Sequence, residues 1–202
     1  MIPFNRLEAL AAPIDMNNVD TDRLVPARFL RKARGDGLQQ YLFHDMRFAA
    51  DGSERQDFIL NQAPYREARI LVTGSNFGCG SAREAAVYVL VDYGIRAIIS
   101  PSFGDIFHGN MLQNGMLPVE LPSTACETLR RQLHERPGAH IDISLEFQIV
   151  VGPDGAQYSF PIEATIKERL LKGLDDVALI LQYLPDIEAF ESRYRAEMPW
   201  QR

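Results

Sequence analysis

The most regular pattern of apolar and polar positions lies in the middle of the chain. Residues 68–73, Ala-Arg-Ile-Leu-Val-Thr, form a short β-branched run that leads into a glycine-rich turn. From Ala82 to Tyr93 the sequence is helix-forming and apolar nearly all round, which predicts a buried helix stopped by Gly94. Arg96–Ser100 predicts the next strand, and Phe103–Asn114 the next helix, with Gly115 as its terminator. Leu117–Leu121 completes a β-α-β-α-β alternation, which predicts a mostly parallel central sheet with flanking helices.

The flanks are less regular. Residues 1–12 read as a weak amphipathic lead-in. Residues 32–37 and 50–66 read as surface loops, the first of them mobile, with a short helical pattern at residues 27–32. Ser123–Glu135 predicts a helix capped by Ser123. The strand-like stretches His140–Val151 and Ala156–Ile162 flank Gly152-Pro-Asp-Gly155, a strong hairpin signal. From residue 163 the pattern is helical, interrupted near Gly173 and Pro185. The expectation is one α/β domain over residues 1–202, with a β-hairpin and a helical C-terminal extension over about 163–202.

Composition narrows the function classes. The 202 residues are 46% hydrophobic and 24% charged, the profile of a globular chain able to bury a core. A net charge of −6, with no long Lys/Arg run, argues against nucleic acid as a partner. No apolar stretch approaches the ~20 residues of a membrane span, and the N-terminus does not read as a signal peptide. The two cysteines, Cys79 and Cys126, form no CxxC pair, which fits a reducing cytoplasm. They are too few for a four-thiolate cluster within this chain, and His44, His108, His134 and His140 show no metal-ligand spacing.

Three segments carry candidate chemistry. In Gly74-Ser-Asn-Phe-Gly-Cys-Gly-Ser-Ala-Arg83 a strand runs into a glycine-rich turn that is expected to open a helix. Free N–H groups and the helix dipole would there receive a carboxylate or phosphate, and Arg83 adds a bidentate fork. Ser81 has two readings: an N-cap forming a capping box with Glu84, which spacing alone favours, or an activated hydroxyl. A dinucleotide fingerprint fails because Arg83 stands where Gly or Ala is needed. The second segment is Asp20-Thr-Asp22 followed by Arg34, a carboxylate pair and a glycine-flanked arginine. The third, Ser100-Pro-Ser-Phe-Gly-Asp-Ile-Phe107, reads alone as a strand–turn–helix.

In this order the segments resemble the small-subunit family of isopropylmalate isomerases (3-isopropylmalate dehydratases), the swivelling domain of the aconitase superfamily. The likeness covers most of residues 13–182. It rests on Asn18-Val-Asp-Thr-Asp-Arg-Leu-Val-Pro-Ala-Arg-Phe-Leu30, Asn76-Phe-Gly-Cys-Gly-Ser-Ala-Arg-Glu-Ala-Ala86, Pro101–Phe107, Asn114–Pro118 and Leu171–Asp176. The resemblance implies the three-layer β/β/α swivelling fold. It also implies dehydration and rehydration of a hydroxy acid in leucine biosynthesis, in a cytoplasmic complex with a large subunit that carries a [4Fe–4S] cluster.

By the same resemblance Ser81 is the catalytic base and Arg83 binds a substrate carboxylate. Arg34 is a second substrate-binding arginine, Asp22 an active-site aspartate, and Ala82 a backbone N–H contact to the substrate. This reverses the capping preference for Ser81. Cys79 reads as a small residue packed in the turn. The chain departs from the family pattern at Ala82 and Ala85, where the family has serine and histidine, and at Val87 and Tyr88, where proline and tryptophan often follow. The Arg34 loop is also shorter and more charged than the forms associated with leucine biosynthesis. These departures leave open a related substrate of the methylmalate/citraconate, dimethylmalate or homoaconitate type. A catalytically slow paralogue and a standalone anion-binding module are the other readings.

Overall fold

The computed structural model describes residues 1–32, 34, 37–198 and 200. Its strands are β1 (Arg6–Ile14), β2 (Ile70–Thr73), β3 (Ala97–Ser100), β4 (Leu117–Glu120), β5 (His140–Ser144), β6 (Ile149–Val151) and β7 (Gln157–Ser159). Its α-helices are α1 (Thr21–Leu24), α2 (His44–Arg47), α3 (Ala85–Tyr93), α4 (Asp105–Gln113), α5 (Ser123–Glu135), α6 (Ala164–Lys172), α7 (Asp176–Leu181) and α8 (Leu184–Glu197).

One sheet of order β4-β3-β2-β1-β5-β6-β7 holds the strands together. It runs parallel from β1 through β4 and antiparallel from β1 through β5, β6 and β7. Both faces of the parallel part are covered, so β2 and β3 are wholly buried and apolar up to their last residues, Thr73 and Ser100, as parallel strands tend to be. Along them the side chains alternate between two cores. Leu71 and Ile98 face the core that contains α3 and α4, while Ile70, Val72, Ala97 and Ile99 face the one that contains α5. On that second side α5 buries Ala125, Cys126, Leu129 and Leu133, spaced for one helix face. Each such leucine contributes about 1.5–3 kcal/mol by leaving water.

The lead-in at residues 1–12 is the main correction: it holds the start of β1, the strand that joins the two halves of the sheet. Residues 6–10 of β1 pair with β5 and residues 11–14 with β2. Pro13 is tolerated in this strand because β5 has already ended there. The last contact toward β5 is from the Ala11 N–H to the Ala139 carbonyl, and residue 13 faces the same side with no N–H to offer.

Other expectations shift locally. Helix α3 begins at Ala85, not Ala82, and ends as expected at Gly94 (φ 110°). Ser123 does not cap α5; Pro122 precedes that helix without a side-chain cap. The stretch 140–151 is broken by a turn over Leu145–Gln148, with Gln148 at φ 55°, so two short strands replace one. The 50–66 excursion tucks Leu60, Asn61 and Tyr65 into the interior. The C-terminal region divides at Gly173 and before Pro185, as its sequence predicts. Residues 33, 35 and 36 of the expected mobile loop lie outside the described residues. Among the described residues no helix is long and apolar enough to cross a membrane.

Candidate active site

Parallel strands that follow one another in order end on the same edge of the sheet, and the loops leaving those ends are brought together. Here the loops after β1, β2 and β3 meet. The Gly74 N–H donates to the Met16 carbonyl (3.1 Å), the Asn18 N–H to the Ser75 carbonyl (2.9 Å) and the Gly78 N–H to the Val19 carbonyl (2.7 Å). Asn17 Oδ1 accepts from the Ser75 N–H (2.8 Å), and Asn18 Oδ1 from Asn76 Nδ2 (2.8 Å). On the other side the Phe77 N–H donates to the Ser102 carbonyl (3.1 Å) and the Gly104 N–H to the Phe77 carbonyl (2.9 Å). The three sequence segments singled out for chemistry, Arg34 apart, are therefore one structural unit.

Glycine is required where these loops cross. Gly78 has φ 73°, and a Cβ there would stand 2.1 Å from Cγ of Phe107. Gly104 passes so close that its Cβ would lie 2.7 Å from the Gly78 carbonyl oxygen. Small residues thus let the β2 loop lie directly on the start of α4.

The result is a cavity of about 290 Å³ lined by residues of the β2 loop from Asn76 to Arg83, by Thr21, and by residues 104–107 at the start of α4. Ser81 is exposed, and its Oγ has no hydrogen-bond partner among the described residues. Its carbonyl is held by Thr21 Oγ1 at 2.9 Å. The backbone N–H groups of Gly80, Ser81, Ala82 and Arg83 also make no hydrogen bond among the described residues. A run of unspent donors beside an arginine can receive a carboxylate. Arg83, with a side chain 19% exposed, forms an ion pair with Asp22, which is 55% exposed.

The structure brings Ser81, Ala82, Arg83 and Asp22 together. It does not bring Arg34 to the cavity. That guanidinium lies 4.5 Å from the centroid of the Tyr88 ring and its Nε is 3.2 Å from Asp92 Oδ1, on the flank of α3. The capping reading of Ser81 is overturned, because the residue sits in irregular backbone before α3, and Glu84 occupies the cap position without a side-chain bond. The donors that face the cavity are therefore loop N–H groups and Arg83, not a capped helix N-terminus.

Sequence reasoning misses Thr21 as a site residue. Its only signal there is its place between Asp20 and Asp22. Asn76, which lines the cavity and whose N–H donates to Ser102 Oγ at 2.9 Å, is likewise passed over.

Among the described residues no group of three or more His, Cys, Asp or Glu side chains could hold a metal ion. Cys79 lines the cavity, but Cys126 is buried in α5, where desolvation pushes its thiol up to about 11 and keeps it protonated.

Comparisons with known proteins agree with this architecture. Residues 1–124 match the family model for the aconitase C-terminal domain, and residues 127–164 match the model described as LeuD_N. The 3-isopropylmalate dehydratase small subunit of Gluconacetobacter diazotrophicus is 45% identical over 201 residues, covering 100% of this chain and 97% of that protein. The protein of the same name from Rhodospirillum rubrum is 46% identical over 200 residues, covering 99% of this chain and 97% of its own. A crystal structure titled 3-isopropylmalate dehydratase, from Methanocaldococcus jannaschii, superposes with a TM-score of 0.61 at 23% identity, covering 94% of this chain and 99% of that one. The likeness to that structure is one of fold.

Proposed function

We propose a function from one premise: this chain belongs to the family of 3-isopropylmalate dehydratase small subunits, built on the aconitase C-terminal domain. It is a hydro-lyase subunit of leucine biosynthesis that interconverts 2-isopropylmalate and 3-isopropylmalate by removing water and adding it back. It works with a large subunit, and the group that activates the leaving hydroxyl, a [4Fe–4S] cluster, belongs to that subunit.

The observation that carries the reading is the cavity in which an unengaged Ser81 hydroxyl adjoins unspent N–H groups and the Arg83–Asp22 pair. The reaction must remove a proton from carbon next to a carboxylate, and that carboxylate must be held while charge builds on it. Arg83 and the N–H groups of residues 80–83 bind the carboxylate. Asp22 holds one edge of the Arg83 guanidinium and so orients its fork. Ser81 passes its hydroxyl proton to solvent, takes the C–H proton onto the alkoxide Oγ and is then a hydroxyl again; the N–H groups of residues 80–83 stabilise the alkoxide before the transfer. Ala82 contributes through its backbone N–H. Arg34, paired here with Asp92 and stacked on Tyr88, is assigned no step by this geometry.

The test is co-expression with the cognate large subunit under anaerobic conditions, followed by assays on 2- and 3-isopropylmalate beside methyl-, dimethyl- and carboxyethyl-substituted malates. Isopropylmalate should be the preferred substrate. Ser81→Ala should lower turnover by about 10²–10⁴-fold while the fold is kept. A complex that prefers another malate would overturn the substrate, and near-wild-type turnover by Ser81→Ala would remove the serine from the chemistry.

A further inference from the structure

We propose that Arg130, on α5 and outside the cavity, is a positioning residue that sets the spacing of the two loops carrying Asp22 and Ser81–Arg83. The proposal rests on the reading of those loops as the active site.

Arg130 follows Leu129, part of the buried face of α5, and its side chain is only 15% exposed. It reaches past the helix to the edge of the sheet where β1 and β2 end. Its Nη1 donates to the carbonyl of Thr73, the last residue of β2, at 2.6 Å. Its Nε donates at 3.0 Å to Oδ1 of Asp15, the first residue beyond β1. Asp15 is held from a second direction by His134, one turn further along α5, whose Nε2 lies 2.5 Å from Oδ2.

A planar guanidinium thus bridges the roots of two adjacent loops at fixed angles, which a flexible ammonium does not do. The bridge is placed where the loops first leave the sheet. The next contacts along them are Gly74 N–H to Met16 carbonyl and Ser75 N–H to Asn17 Oδ1, and the zipper then runs out to Asp20, Thr21 and Cys79. A change of spacing at the root is carried to the tip, because each later contact is a short hydrogen bond between the same two segments. At the tip Thr21 holds the Ser81 carbonyl and Asp22 holds Arg83. Misplacement of reacting groups by about 1 Å costs roughly 10²-fold in rate.

The experiment compares Arg130→Met, Arg130→Lys and Asp15→Asn in the reconstituted two-subunit complex. Arg130→Met should lower kcat by about 10–100-fold with KM within threefold. Lysine should recover part of the loss, since one ammonium reaches either acceptor but does not bridge both. Asp15→Asn should fall between them. Unchanged kcat in Arg130→Met, or a loss confined to KM, would overturn the proposal.

Amide hydrogen exchange on the isolated full chain gives a readout independent of turnover. Exchange should quicken at the hydrogen-bonded amides of Asn18, Thr21, Gly74, Ser75 and Gly78 while the strands at 140–159 stay as in wild type. A uniform increase, or none, would make Arg130 an ordinary structural staple. If the wild-type complex is inactive on isopropylmalate, the functional reading fails and the exchange pattern still decides this one. If Arg130→Met does not fold, Arg130→Lys is compared with wild type by both measurements.

Discussion

From β1 the sheet extends one way through β2, β3 and β4 and the other way through β5, β6 and β7. Both halves bury apolar residues in the same core, Val72 and Ile99 from one and Ile141, Ile143 and Val150 from the other. They differ in where their connections go. In the parallel half each strand is followed by a crossover, so the loops after β1, β2 and β3 leave the same edge and interlock around the cavity. In the antiparallel half successive strands reverse, and the connections are tight turns at Leu145–Gln148 and Gly152–Gly155. Those two turns lie at opposite ends of β6 and cannot converge. Strand direction, more than hydrophobicity, therefore decides which half forms the cavity.

Substitutions can break this contrast or sharpen it. The largest effect is expected from Gly78→Ala, because the new methyl would collide with the Phe107 ring and hold a positive φ as well. Thermal unfolding should show a loss of about 2–4 kcal/mol, with turnover nearly abolished in whatever remains folded. An alanine variant of wild-type stability would mean that the loops are less tightly interlocked than described.

A smaller effect is expected from Arg83→Lys. A point charge still attracts a carboxylate but cannot hold it and Asp22 with one fixed fork. KM for isopropylmalate should rise by about 10–100-fold, the equivalent of one strong charge-assisted hydrogen bond, with melting temperature almost unchanged. Unaltered steady-state kinetics would take Arg83 out of the substrate contact.

The smallest effect should come from the other half. Phe147, at the tip of the β5–β6 turn, is 71% exposed. Phe147→Ser should shift stability by no more than about 0.5 kcal/mol and leave turnover as it was. A marked loss of activity in the complex would show that the antiparallel half takes part in the reaction after all.

The parallel half is legible in the order of residues alone. Ile70–Thr73, Ala97–Ser100 and Leu117–Glu120 are short apolar runs separated by helical stretches, and Gly94 and Gly115 stop those helices at positive φ. The opening strand is not legible in that way. Arg6 to Glu8 alternate weakly, and Ala9-Leu-Ala-Ala favours helix when judged locally. Pairing with β2 on one side and β5 on the other overrides that preference. The break at Gln148 is hidden for a related reason: its left-handed backbone occurs without a glycine. At the active site, the serine, the arginine and the first aspartate loop stand out by their types and order. The cap that spacing alone favours for Ser81 is absent: the helix starts at Ala85, with Glu84 at the cap position.

By itself the sequence determined the α/β alternation, the glycine-rich loop after a buried strand, and the family to which these segments belong. Only the tertiary structure decided which distant groups meet. Asp22 reaches Arg83 across 61 positions of chain, Thr21 reaches Ser81 across 60, and Arg34 is drawn instead to Asp92, 58 positions away. Local preference acts over the few residues that share a turn of helix or a strand. Which side chains share a cavity depends on which strand ends the sheet sets side by side, and that follows from its order and direction.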